Sequence, residues 1–423
     1  MEPNKKRLKL DNIKINIKSI LSDDFLDHIP LEAVYVASIA EKKQFSSLIF
    51  ELNKYLPFDN LSHLKRIRKN DVIICKLNDL ITFTSEIENE CHLKSTIEDL
   101  NLECNEILDI LRNEKLAKIH VHRSILIGYL KAKGISDNGF LQKLCDDLKI
   151  VDIPSKQSLL RWQYEEMNKI WPCKFHPNKQ MELLHKNENF TSNELIFHQT
   201  IIMIIKKIMN LEKNLYKNVG ICVDPRTNSV VAMSTNLAPT QCGTPSSFHI
   251  NEKIKHCPIL LIDFVARTQN GGIWKYENIK FLENTNDEKE FCGILKEYVE
   301  LLRCGLGDEQ IGAQKININN QKGNSNKIIK EMVGNVPNNC NDFYGEDEQN
   351  NLEKYGPYLC TGYDIYFLKE PCLMCAMALI HSRARRIFFV ESTNDGALKT
   401  CTKLHTAKGL NHHYEVFQCS IID

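Results

Sequence analysis

The sequence predicts an α/β protein of two domains, and three features carry that expectation. Towards the C-terminus, YLCTGYDIYFL, PCLMCAMALIHSRA and RRIFFVES read as strand, helix and strand, a spacing that suits a right-handed crossover with parallel pairing. Upstream, VGICV and VVAMS flank the turn DPRTNS as a β-hairpin. The chain has 423 residues, of which 43% are hydrophobic and 26% charged, which is enough to bury two cores and ordinary for a folded protein.

Residues 1–20 carry neither turn chemistry nor sustained periodicity and are expected to form a flexible basic N-terminus. Residues 21–155 are expected to form a smaller α/β domain. In it LEAVYVASI reads as a strand, KQFSSLIFELNKYL as an amphipathic helix, DVIICKL as a second strand after the basic HLKRIRKN, and STIEDLNLECNEILDILRNEKLAK as a second helix. A second domain is expected over residues 156–423, opening on RWQYEEMNKIWPCKFHPNK. Next come the apolar-periodic helix NELIFHQTIIMIIKKIMNLEKNLYK, the hairpin, and a loop with Pro239, Gly243 and Pro245. In HCPILLIDFVAR the spacing of Ile259, Leu260, Phe264 and Val265 predicts a helix. Residues 270–356 are rich in Asn and read as a flexible insertion, with DEKEFCGILKEYVELLRCG helical within it. After the strand, helix and strand, the chain closes through DGALKT, LNHH and the apolar YEVFQCSII.

A net charge of +0 excludes a globally basic nucleic-acid binder and leaves room for local basic patches. No apolar run approaches the roughly 18 residues of a membrane span, and MEPNKKRLKLDN lacks the apolar segment of a secretory signal, so an intracellular protein without a membrane partner is expected. In that setting most of the 16 cysteines read as reduced, buried, small apolar residues. The cluster Lys5, Lys6, Arg7 and Lys9 reads as a solvated tail, a nuclear import signal or a set of phosphate contacts.

One cysteine pair, Cys372 and Cys375, has metal spacing. It follows Pro371 where a strand hands over to a helix, which puts both thiols in the first turn. The partial positive charge of a helix N-terminus favours the thiolates that zinc requires. A redox pair and two packed cysteines are the competing readings; the proline and the strand-to-helix setting favour zinc. A third ligand must then come from elsewhere, and a fourth position can hold water. His198 sits in the middle of an apolar-periodic helix and reads as a packing residue. His256 starts a helix, as the cysteines do, and is favoured as the ligand.

Zinc nucleobase deaminases carry H-x-E and P-C-x-x-C, in which the Glu moves protons between water and base without touching the metal. Here Pro258 stands in the place of that Glu. Loss of a general acid/base costs about 10²- to 10⁴-fold. Thr200, the equivalent residue if His198 were the ligand, has no titratable group either.

YLCTGYDIYFLKEPCLMCAMALIHSRARRIFFV, with DGALKT and LNHHYEVF after it, resembles the family of non-catalytic subunits of the eukaryotic heterodimeric tRNA adenosine deaminases, within the cytidine-deaminase-like superfamily. HCPILLIDFVARTQ resembles its zinc-His helix, WPCKFHPNK the start of its deaminase domain and, more loosely, AVYVASI and HLKRIRK its extra N-terminal domain. The resemblance covers residues 155–270 and 357–423 closely, 30–75 loosely, and the Asn-rich insertion not at all. It implies a three-layer α/β/α domain with a mixed central sheet, a smaller N-terminal α/β domain, and a Zn2+ ion on His256, Cys372 and Cys375. It further implies no catalytic residue of the chain's own, a catalytic subunit as heterodimer partner, and tRNA held in part by the N-terminal domain; residence in nucleus and cytoplasm is a separate expectation. Members commonly have Val where this chain has Pro258, so the departure bears on the geometry around His256. Candidate phosphate contacts are Lys65, Arg66, Arg68 and Lys69, and Arg383, Arg385 and Arg386 beside the metal helix; a solvated or salt-bridged face is the alternative for each cluster.

Two rival readings remain. One is an active nucleoside or cytidylate deaminase with an atypical proton shuttle, Glu252 or Glu370. The other is a structural zinc module in an unrelated RNA-binding protein.

Overall fold

Ile15 and Ile17 alternate with Asn16 and Lys18, so KINIKS has one apolar and one polar face, the pattern of a half-buried strand. The computed structural model describes residues 14–39, 45–87, 104–112, 119–135, 141, 147–211, 216–237, 254–273 and 358–422. In it β1 (Lys14–Ser19) pairs antiparallel with the last strand, Lys14 opposite Ile422 through Ser19 opposite Phe417. The expectation of a flexible N-terminus over residues 1–20 is therefore corrected from residue 14 onward. The Asn-rich insertion and its helix lie outside the described residues.

The chain divides into two compact units, one of Asp23–Glu182 and one joining Met1–Ser22 to Leu183–Asp423. The expected boundary at 155/156 thus moves to 182/183. The first unit contains β2 (Leu31–Ser38), α1 (Phe45–Tyr55), β3 (Ile67–Arg68), β4 (Asp71–Lys76), α2 (Leu77–Ile87), α3 (Cys104–Arg112), α4 (Ile119–Ala132), β5 (Leu148–Pro154) and α5 (Arg161–Ile170). Its strands lie in the order β3-β4-β2-β5, all antiparallel. β2 is buried on both faces. Tyr35 and Ala37 pack with Leu52, Leu80, Leu111 and Leu126 on the helices, while Val34 and Val36 face Met167 and Trp171 on the other side. Trp171, which the sequence analysis set in the second domain, belongs here: its indole donates to the Lys65 carbonyl at 2.6 Å and its ring is fully buried.

α6 (Lys179–Lys186) carries the chain into the second unit, followed by α7 (Ser192–Leu211), β6 (Tyr216–Asp224), β7 (Ser229–Leu237), α8 (Cys257–Thr268), β8 (Asp364–Lys369), α9 (Leu373–His381), β9 (Arg386–Glu391) and β10 (Glu415–Ile422). A capping box starts α7: Thr191 Oγ1 accepts from the Glu194 N–H, and Glu194 accepts from the Thr191 N–H at 2.8 Å. In the hairpin turn Asp224 accepts from the Arg226 N–H and pairs with its guanidinium, and Asn228 takes φ 54, a left-handed conformation that Asn tolerates.

The six strands run β1-β10-β9-β8-β6-β7 in a mixed sheet, with β8, β9 and β10 parallel and the other pairings antiparallel. Register lines up Ile221, Tyr366, Phe388 and Phe417 on one face, and Cys222, Ile365, Ile387 and Val416 on the other. The first row meets Phe190 and, from α7, His198. The second row packs with Leu261 and Val265 of α8 and Ala376, Leu379 and Ile380 of α9.

Two buried histidines make this unit sensitive to acid. His198 is held at about 3, first by burial and then by the Arg386 charge; His405, whose Nε2–H donates to the Ile20 carbonyl, is held at about 4 by burial. Their unfolded counterparts take up protons near pH 6.5. Between that pH and about 4 the unfolded chain binds more protons, so stability falls as pH falls, by up to about 1.4 kcal/mol per pH unit for each histidine. Urea unfolding at pH 7.5, 6.0 and 5.0 is expected to show a falling midpoint over this range; a midpoint that stays constant would contradict the neutral, buried state of both rings.

Candidate metal centre

α8 and α9 each begin on the residue after a potential ligand. His256 caps α8 with φ −67 and ψ 150, and Cys372 caps α9 with φ −70 and ψ 171. Neither side chain bonds to its own helix, so imidazole and thiol are left to face one another. His256 Nδ1 is 3.5 Å from Cys372 Sγ and 3.5 Å from Cys375 Sγ, and the three atoms lie within 4.8 Å of one another. A ring nitrogen has one lone pair or one proton and cannot direct it at two sulfurs; it can direct it between them. Metal–nitrogen bonds of about 2.0–2.1 Å and metal–sulfur bonds of about 2.3 Å at a tetrahedral angle require N···S separations of about 3.5 Å. The donor set fits a soft, four-coordinate cation.

Backbone contacts fix both helix starts. Ser234 of β7 donates from Oγ to the Cys257 carbonyl at 2.8 Å, and the Ala397 N–H donates to the Pro371 carbonyl at 2.9 Å. Pro258 occupies the first turn of α8, where a missing N–H removes no intrahelical bond, so the helix starts undisturbed. Pro258 is buried. Burial, with Cys372 beside it, pushes the Cys375 thiol up. A bound cation is what would offset that cost.

His198 lies on the opposite face of the sheet, its Nδ1 2.7 Å from the Tyr366 hydroxyl, between the rings of Phe190 and Phe388. Thr200 Oγ1 donates to the Ile196 carbonyl on the exposed side of α7. Neither joins the cluster. Glu252 is outside the described residues.

Glu370 is 3% exposed and fully engaged. Oε1 accepts from the N–H groups of Leu398, Lys399 and Thr400 at 2.9, 2.7 and 3.1 Å, and Oε2 accepts from Thr400 Oγ1 at 2.6 Å. This carboxylate, with four donors on its two oxygens, holds the loop 396–400 against the start of α9 and is not part of the His256, Cys372 and Cys375 cluster. In the sequence it stands as a candidate proton shuttle; four donors from one loop were not foreseeable from EPC alone. A Cβ on Gly396 would overlap the same carboxylate, which explains glycine there.

The basic candidates divide sharply. Arg66 is buried and donates to the carbonyls of Leu56, Ile73 and Ile74 and to Asn53, and burial lowers its pKa to about 10. Arg68 donates to the Ile170 carbonyl, pairs with Asp71 and stacks 4.4 Å over Trp171. Arg386 is buried in a two-point pair with Asp364, at 2.8 and 2.5 Å. These three are corrected from phosphate contacts to internal ties. Lys65, Lys69 and Arg383 are exposed and Arg385 is half-buried. One basic residue was missed. A β-bridge joins Leu64 to Cys173, with Lys65 N–H donating to Pro172 and Lys174 N–H to His63, so exposed Lys174 lies on the segment bonded to that of Lys65, one residue to the other side of the bridge, although 109 positions separate the bonded residues. Only the strand pairing reveals that neighbour.

Comparison with known proteins follows the same pattern. Residues 32–120 match the family described as the tRNA-specific adenosine deaminase TAD3 N-terminal domain. A Danio rerio protein named probable inactive tRNA-specific adenosine deaminase-like protein 3 is 26% identical over 99% of this chain and 96% of its own. The tRNA-specific adenosine deaminase TAD3 of Arabidopsis thaliana is 24% identical over 94% of this chain and 93% of its own. The chain is similar to TAD3 proteins along nearly its whole length. Against the tRNA-specific adenosine deaminase subunit TAD3 of Saccharomyces cerevisiae, the likeness rises to 46% over 71 residues, which are 16% of this chain and 22% of that TAD3 protein.

Gly396→Ala is expected to destabilise the chain by about 1–3 kcal/mol, the usual cost of overpacking a filled site. Combined with Glu370→Ala it should cost less than the sum of the single changes, because the collision is gone. Urea midpoints for the four proteins of that cycle measure the coupling, and simple additivity would show that Gly396 is not there for Glu370.

Proposed function

We propose that this chain is the non-catalytic, zinc-holding and tRNA-binding subunit of a heterodimeric deaminase that converts wobble adenosine to inosine in tRNA. The observation that carries the reading is Pro258. It fills the first turn of α8 two residues after His256, and among the described residues no carboxylate joins His256, Cys372 and Cys375. A set able to hold a cation without a proton carrier suits a partner of an enzyme better than an enzyme. The relatives' names, which include both "probable inactive" and "subunit", support the same conclusion.

Zn2+ bound by His256 Nδ1 and the two thiolates would contribute folding energy, on the order of 10 kcal/mol. It would bind the start of α8 to the start of α9, as expected of a cytidine-deaminase-like three-layer domain. The catalytic subunit would dock on the surface so fixed. Lys65, Lys69 and Lys174 would meet phosphates from the first unit, and Arg383 and Arg385 from the second. Among the described residues no helix is long and apolar enough to cross a membrane. Residence in nucleus and cytoplasm rests on the basic cluster Lys5, Lys6, Arg7 and Lys9.

Co-expression with a catalytic subunit should yield inosine at the tRNA wobble position, with neither chain active alone. Deamination by this chain alone would support the rival enzyme reading instead. Cys372→Ala and His256→Ala should lower zinc content, measured by elemental analysis, and reduce co-purification with the partner. Full zinc and full co-purification in both variants would remove the structural role.

A further inference from the structure

At the far end of α9 from the metal cluster, about 13 Å along a helix of nine residues, lies a cavity of 290 Å³. Tyr358, His381, Arg383, Asn411 and His412 supply its polar wall, Ile380 and Leu410 its apolar floor, and no acidic residue lines it. The Arg383 guanidinium lies 5.3 Å from the Tyr358 ring centre, and Tyr358 as a whole remains 59% exposed.

The cavity is built rather than incidental. Gln269 grips Leu359 twice, donating to its carbonyl at 2.8 Å and accepting from its N–H at 2.9 Å, and this fixes the residue next to Tyr358. Leu359 and Arg383 both take left-handed backbone, φ 47 and 60, a cost that a non-glycine residue bears where surrounding contacts demand it. The final carbonyls of α9 are already taken: Ala378 by the Ser382 N–H, Leu379 by Ala384 and Ile380 by Arg383. Three of the last four carbonyls of the helix are therefore covered by donors, which leaves Arg383 fewer competing acceptors at that end.

We infer that this cavity binds one nucleotide of single-stranded RNA, with the base stacked on Tyr358, the phosphate on Arg383 and the imidazoles, and Asn411 facing the base edge. An exposed aromatic beside a guanidinium is the chemistry by which proteins hold unpaired bases. A peptide carboxylate would use the cation and leave the ring idle. The inference rests on the tRNA-binding reading above and assigns it a second contact point, separate from Lys65 and Lys174.

The test uses the full chain and a fluorescein-labelled single-stranded RNA, with intact tRNA in parallel. Tyr358→Ala should raise Kd about tenfold, and Tyr358→Phe should bind as the unaltered chain does. Arg383→Asn, which keeps a residue tolerant of positive φ, should raise Kd several-fold and reduce the salt slope by about 0.7. Unchanged zinc content in each variant shows that folding is intact. If Lys65→Ala with Lys174→Ala weakens tRNA binding while the cavity variants bind normally, this inference is overturned and the tRNA-binding reading stands. If the unaltered chain binds neither RNA, both fall. Ultraviolet crosslinking that joins Tyr358 to a polypeptide instead of RNA also overturns it.

Discussion

Four strands in common register determine where everything else in the second unit lies. Because Cys222, Ile365, Ile387 and Val416 fall in one row, a single face of β6, β8, β9 and β10 offers a continuous apolar floor, on which α8 and α9 pack. Shift one strand by a residue and the row would be broken by Tyr366, Phe388 or Phe417, which belong to the opposite face. Packing on one floor brings the starts of α8 and α9 together, although 115 residues separate Cys257 from Cys372. The convergence of His256, Cys372 and Cys375 is thus a consequence of strand register before it is a matter of metal chemistry.

Register also explains why the opposite face, that of Tyr366 and Phe388, is polar at its edge. Asp364 and Arg386 are neighbours on β8 and β9, on the same face as Tyr366 and Phe388, and both are nearly inaccessible. A buried charge pair is tolerated when its geometry satisfies both partners, and here two hydrogen bonds do so. The Arg386 charge is one reason His198 nearby stays neutral. An arginine that looks on paper like an RNA contact is therefore occupied within the fold, as Arg66 is by three backbone carbonyls in the first unit.

Local pattern made the strands and helices of the second unit legible, because their apolar periodicity is set by the sheet they form. Cys372 and Cys375 were legible for the same reason: Pro371 and the strand before it announce a helix start. What escaped were features decided by distant partners. Lys14–Ser19 has the alternation of a strand, but six residues show it only once β10 supplies the other edge. Trp171 reads as the start of a new domain and is instead the core of the old one, because its ring fits beneath Val34 and Val36. In HLKRIRKN four cations look alike; burial separates Arg66, and bonds to Ile170 and Asp71 separate Arg68, from Lys65 and Lys69, and both are tertiary properties.

Pro258 and Glu370 together decide the chemistry of the cluster. A deaminase site needs a cation to acidify water and a carboxylate to move the protons. The first of these needs only the helix starts, which the sheet provides without cost to function. The second needs a carboxylate that is close and unoccupied. Pro258 lacks one, and Glu370 is engaged by Leu398, Lys399 and Thr400. Freeing Glu370 would release that loop and leave the buried Leu398 N–H without an acceptor, a penalty of about 1–3 kcal/mol. The carboxylate that keeps the ligand helix in place is thereby prevented from taking part in proton transfer. What such a site can still do is hold two helices at a fixed separation, which is the requirement of a docking surface.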